Sequence, residues 1–341
     1  MRLIYICVFS VFSFFVSAQN SDLETIVKKG REAYDAGNFE KSVKWFKQAH
    51  KFDKKSEEIM CELALSYLAH GDYTNAALYS GKVIANKKGS DFAEECYIMH
   101  GNSWDKQLRR KRAQKTYKEA IEAYPNNYLL YYHLANSLYR EKKYEEAQEQ
   151  LINLFKINPT YGSGHLLMAY IEYDKGERIK AMLPLYYYLL VEQDSERSEG
   201  VYDFLNNLWN QGVRVKAQRE SKLYTAGVNL GDFAEQEHLL KEYEINRDTV
   251  INEVGGIKNL TLIRFAENTN YLFSSLGNTP EVNYGFYWEF YVDLFAKINR
   301  NHYSDAYSYF ISDCKYKDDV LLWMSSNYQT FKKFTEWMEL Q

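Results

Sequence analysis

The residue types that perform chemistry are present in this chain, but their spacing does not assemble a catalytic set. Seven histidines are scattered along it: His50, His70, His100, His133, His165, His238 and His302. His100, His133 and His165 recur at similar intervals and could approach one another. Their offsets are unequal, so ordinary packing and hydrogen bonding compete with a shared metal ion as the reason for them. No H-E-x-x-H, C-x-x-C or G-x-x-x-x-G-K-[ST] occurs, so the zinc, dithiol and phosphate-loop chemistries have no motif. Gly162-Ser163-Gly164 has the wrong spacing for a nucleophile elbow. The acidic pairs Glu94-Glu95 and Glu145-Glu146 fall at expected helix starts, where carboxylates favour the helix dipole. These residues predict no catalytic site, no metal and no cofactor.

The four cysteines are equally sparse. Cys7 lies in an apolar leader, which leaves Cys61, Cys96 and Cys314, too few and too odd in number for a disulfide framework. Cys61 and Cys96 fall on helices expected to lie side by side, so a single bridge competes with two buried free thiols. A basic run covers Lys106, Arg109, Arg110, Lys111, Arg112, Lys115 and Lys118 with no acid between. It reads either as a solvated edge or as a docking site for an acidic partner or anionic headgroups.

The whole chain gives these side chains little help as a field. Its 341 residues carry 42 Lys plus Arg against 46 Asp plus Glu, a net charge of −4. That balance excludes a dedicated nucleic-acid binder. Only 4 prolines against 31 tyrosines, with few turn clusters, predict a chain that is mostly helix. The first 18 residues run from Arg2 through an apolar stretch to Val16-Ser17-Ala18, the order of a secretory signal peptide cleaved after Ala18. No later stretch reaches 18 consecutive apolar residues, so no transmembrane segment is expected after cleavage. The expected compartment is the periplasm or cell envelope.

The elements that must position the side chains repeat. Gly37-Asn38-Phe39, Gly71-Asp72-Tyr73, Leu108-Arg109-Arg110, Lys142-Lys143-Tyr144 and Gly176-Glu177-Arg178 align, and each is followed by a small residue: Ser42, Ala76, Ala113, Ala147 and Ala181. A second small site, at Gly30, Ala64, Gly101, Ala135 and Ala169, falls in the preceding helix of each unit. Five units follow, 23–56, 57–90, 94–127, 128–161 and 162–195. The fourth reads Tyr131, Leu134, Ala135, Leu138, then Ala147, Leu151 and Pro159; the third reads Tyr97, His100, Gly101, Trp104, then Ala113, Tyr117 and Pro125.

This pattern resembles the tetratricopeptide repeat (TPR), in which paired helices stack into a solenoid. The resemblance implies an all-α fold with five helix-turn-helix repeats over 23–195. Residues 196–341 lack the phase; helices are expected at about 198–211, 232–244, 257–275, 284–299, 302–313, 317–326 and 328–339. Pro184 should kink or loosen the last repeat helix. In such repeats the inner groove is lined at the second, fifth, ninth, twelfth and thirteenth places of each unit. Counting those places gives Arg31 and Tyr34, then Asn102, then Tyr132, Asn136, Tyr139 and Arg140, then Tyr170 and Tyr173. Asparagine can satisfy a peptide's amide and carbonyl together, and tyrosine offers a flat apolar face with a polar tip. The same side chains could instead pack against the C-terminal helices. The family's carboxylate clamp is not expected, because the equivalent positions include Val27, Glu62, Glu95 and Met99.

The resemblance therefore implies a non-enzymatic scaffold that holds a protein or peptide of the cell envelope. The competing reading is an enzymatic or carbohydrate-binding module in 196–341, which requires Trp288, Trp323 or Trp337 exposed beside carboxylates such as Glu289 or Asp293.

Overall fold

A computed structural model of the protein describes residues 22–86, 89–218, 233–251, 260–278 and 284–340. The expected signal segment, 1–18, lies outside them. Every regular element among the described residues is helical, and the chain divides into two compact units, one ending at Ile157 and one beginning at Asn158.

The first unit holds α1 (22–35), α2 (Phe39–Phe52), α3 (Glu57–His70), α4 (Tyr73–Ile84), α5 (Ala93–Lys106), α6 (Arg110–Ala123), α7 (Tyr128–Arg140) and α8 (Tyr144–Ile157). Consecutive helices pack pairwise, and first helices also touch, α3 on α5 and α5 on α7. The small residues decide how closely. Ala64, Ala135, Ala76, Ala113 and Ala147 are completely buried. A Cβ on Gly30 would sit 2.8 Å from the Phe46 ring, and one on Gly101 would sit 2.2 Å from that of Tyr117. The aromatic of the second helix thus lies directly on the backbone of the first. Hydroxyls and amides tie the layers. Ser42 donates to the Gly30 carbonyl at 2.9 Å and lies 2.8 Å from Ser66. Further along, Gln107 donates to the Tyr73 carbonyl at 3.0 Å and Ser137 to Asp105 at 2.8 Å.

All five turns inside the repeats use a left-handed residue: Gly37, Gly71, Leu108, Lys142 and Gly176, with φ between 59° and 89°. In the first two repeats the next residue, Asn38 or Asp72, caps the following helix through its side chain.

The second unit contains α9 (Gly162–Lys175), α10 (Arg178–Val191), α11 (Ser198–Gln218), α12 (Ala234–Ile251) and α13 (Leu260–Gly277). A π-helical turn at Tyr287–Val292 then runs into α14 (Asp293–Arg300), followed by α15 (Ser304–Ile311), α16 (Asp313–Ser326) and α17 (Tyr328–Met338). The expected C-terminal helices are present, but α11 and α12 run on to Gln218 and Ile251, past the expected ends at 211 and 244, and the break expected near Tyr316 is a kink inside α16, where that residue leaves helical geometry. The fifth repeat shares its compact unit with these helices, so the unit boundary falls one repeat before 195. The reason is α10. Tyr186, fully buried, meets the rings of Phe265, Phe273, Phe295 and Tyr307. Its hydroxyl lies 2.9 Å from Thr269 and accepts from Trp209 Nε1 at 3.0 Å, while Tyr307 donates to its carbonyl at 2.9 Å. Packed in this way, α10 runs as one helix with Pro184 inside it.

Candidate functional site

The groove residues named from the sequence fall on the first helices, but they do different things. In the first repeat, Arg31 is already engaged: its Nε donates to Glu62 at 2.5 Å and its Nη2 to Glu58 at 2.6 Å. The two carboxylates, Glu62 foremost, raise the guanidinium pKa further. Tyr34 stands half-buried against Phe39 at 5.2 Å; burial, then the charge of Glu62, pushes its phenol up. In the third repeat, Asn102 accepts from the Tyr117 hydroxyl at 2.8 Å. Its carbonyl thus serves the repeat itself.

On α7, Tyr132, Asn136, Tyr139 and Arg140 share one helix face. Tyr132, Asn136 and Tyr139 are half-buried. Arg140 is exposed, and its Nε donates to Asn136 at 3.3 Å. The rings of Tyr139 and Tyr144 lie 6.2 Å apart. In the second unit, Tyr170 and Tyr173 are 41% and 42% exposed and flank Phe204 of α11 at 5.6 and 5.2 Å. Here the sequence alternatives combine: these tyrosines touch a C-terminal helix and still face solvent.

A concavity lies where the count of groove places selected only Arg31, and where Glu62, Glu95 and Met99 were named only as positions that do not fit the carboxylate clamp. A pocket of about 410 Å³ opens between α1, α3 and α5. Its apolar wall is Cys61, Leu65, Phe92, Ile98 and Met99, and its charged rim is Arg31, Glu58, Glu62 and Glu95. Glu58, Cys61 and Leu65 occupy the second, fifth and ninth places of their unit, and Glu95 and Ile98 the second and fifth of theirs. The count that yielded Arg31 and Asn102 contained these residues; choosing its tyrosines, asparagines and arginines passed over them. Phe92 comes from the Asp91–Ala93 insertion between units, which lies outside the repeat count.

Six residues of the basic run, Lys106, Arg109, Lys111, Arg112, Lys115 and Lys118, are exposed. The guanidiniums of Arg109 and Arg112 lie 5.3 and 5.1 Å from the Trp104 ring centre, within cation–π range. The Arg110 side chain is half-buried.

His100, His133 and His165 pack within the fold. His100 lies 3.1 Å from Ser80 and accepts from Trp104 Nε1 at 3.0 Å. His133 packs on Tyr117 at 5.8 Å, and burial lowers its pKa to about 4. His165 Nε2 lies 2.8 Å from the Pro159 carbonyl and its Nδ1 2.7 Å from the Tyr291 hydroxyl, with its pKa lowered to about 3 by burial. No group of three metal-ligating side chains occurs among the described residues. Cys61 and Cys96 are free thiols buried in one cluster with Met60, Val83 and Met99. The Cys61 thiol, followed by burial, pushes the Cys96 thiol up. Trp288 is buried and stacks on Phe233 at 4.8 Å. Trp323 and Trp337 are half-buried against Tyr309 and Tyr303.

Residues 109–171 match the family model described as tetratricopeptide repeat. The phased turns and the small-residue contacts agree with this match. The chain carries tetratricopeptide repeats. Among solved structures, TTC0263, a thermophilic TPR protein of Thermus thermophilus, is 14% identical, with 55% of this chain and 98% of that one covered at a TM-score of 0.46. MamA from Desulfovibrio magneticus RS-1 is 16% identical over 51% of this chain and 97% of that one, at 0.44. YrrB, a TPR protein with an unusual peptide-binding site, is 16% identical over 54% and 93%, at 0.41. No curated protein matches. The repeats make a protein or peptide partner the general expectation for this chain, and no helix among the described residues is long and apolar enough to cross a membrane.

Proposed function

We propose that the chain is an exported, non-enzymatic TPR adaptor of the cell envelope that holds a segment of a partner protein on the first-helix face of its repeats. The observation that carries this reading is the open pocket on repeats one to three, whose wall includes the part-exposed Leu65 and Ile98 at places where such repeats line their groove. Apolar surface left open beside charged groups marks an interaction site. Within the second unit, considered by itself, Tyr170 and Tyr173 are exposed and of the type interfaces favour. Export rests on the order of residues 1–18, and removal of the leader after Ala18 is checked by the N-terminal mass of protein recovered from the envelope.

Binding is tested by affinity capture from envelope fractions with the parent chain and with a Leu65→Gln, Ile98→Gln variant, folding being checked by circular dichroism. Loss of a captured partner from the variant supports the reading. Retention of every partner contradicts it.

A further inference from the structure

We infer that the pocket on repeats one to three selects a segment in which a bulky apolar side chain is flanked by lysine or arginine. This rests on the binding reading above and adds the chemistry of the partner.

The pocket wall is apolar, while three carboxylates, Glu58, Glu62 and Glu95, stand at its rim with one guanidinium, Arg31. A second hollow of about 560 Å³ shares Arg31 and Glu58 with it and runs along α1, adding Glu24, Glu32, Asp35 and Asp53 against Lys28. The two linings together hold seven carboxylates and two cations, in a chain whose acids and bases nearly balance. Internal pairing does not cancel the excess. Arg31 takes Glu58 and Glu62, and Lys28 lies 3.9 Å from Glu32. Glu24, Asp35 and Glu95 are exposed and make no ion pair among the described residues. An acidic segment or a terminal carboxylate would meet net repulsion here. A lysine or arginine can lay its methylene stem along the apolar wall while its head reaches the rim, and the opposite charges steer the encounter.

The test is fluorescence anisotropy on the purified chain with three labelled peptides of equal length. One is lysine-rich with a central leucine, one glutamate-rich with a central leucine, and one lysine-rich with a central serine. The first should bind at least about tenfold more tightly than the others, and should weaken as added salt screens the exposed charges. Glu95→Lys should weaken it by roughly tenfold and Glu95→Gln by less, since each alters one exposed charge with no ion pair to lose. Equal or tighter binding of the glutamate-rich peptide, or an unchanged affinity in Glu95→Lys, overturns the basic preference while leaving the pocket a binding site. Binding of none of the peptides, together with capture of the same partners by the Leu65→Gln, Ile98→Gln variant, overturns the binding reading beneath it.

Discussion

Tyr117 is completely buried, and its hydroxyl is fixed to Asn102, so its ring cannot swing away from a side chain added at Gly101. Gly101→Ala is therefore expected to lower stability by about 1–3 kcal/mol through overpacking, read as a lower urea midpoint. The buried histidines give a pH dependence of definite sign. His165 and His133 titrate near 3 and 4 in the folded chain against 6.5 when unperturbed. Between those limits the unfolded chain binds the extra protons, so stability falls as pH drops from 6.5 towards 4. A His133→Gln variant should show a shallower fall over that window in urea titrations at successive pH values, whatever its stability at neutral pH. At this scale the small residues were legible from the repeat phase, because a recurring spacing of Gly, Ala and Ser within one chain has a packing cause. The role of Asn102 was not legible. Its position fits a ligand contact, and the second helix adds that its carbonyl also accepts from Tyr117.

The five left-handed turns link sequence to element most directly. Glycine announces three of them, whereas Leu108 and Lys142 adopt φ of 60° and 59° with a side chain attached. Leu108 is 72% exposed, so its side chain gives back little by burial. Leu108→Gly and Lys142→Gly are each expected to raise stability by about 1 kcal/mol, as the strain of a side chain in this region is relieved; thermal denaturation of each variant checks this. The expected helices followed from periodicity and were found. The repeat phase placed Pro184 inside α10, where the structure has it; the ring packing around that helix was not legible, because it comes from residues about eighty to a hundred and twenty positions away. The π-helical turn at Tyr287–Val292 escaped for a similar reason. One inserted residue in an aromatic run leaves no periodic mark of its own.

For the whole molecule, the repeat period gave the architecture, but compactness drew its boundary elsewhere. The fifth repeat reads as part of the array, yet its second helix is the centre of the C-terminal core. The binding face was legible in position and not in character. Counting places along each unit reached the residues of the pocket, while its acidity emerges only when Glu58 and Glu62 of one repeat stand beside Glu95 of the next. The central claim is that a partner segment sits in that pocket. A photo-crosslinking amino acid placed at Ile98, and at Lys44 on α2 as a control away from the pocket, tests it in native envelope. Adducts of one partner at Ile98 and none at Lys44 are the expected result. Adducts at Lys44 with none at Ile98 would contradict the account.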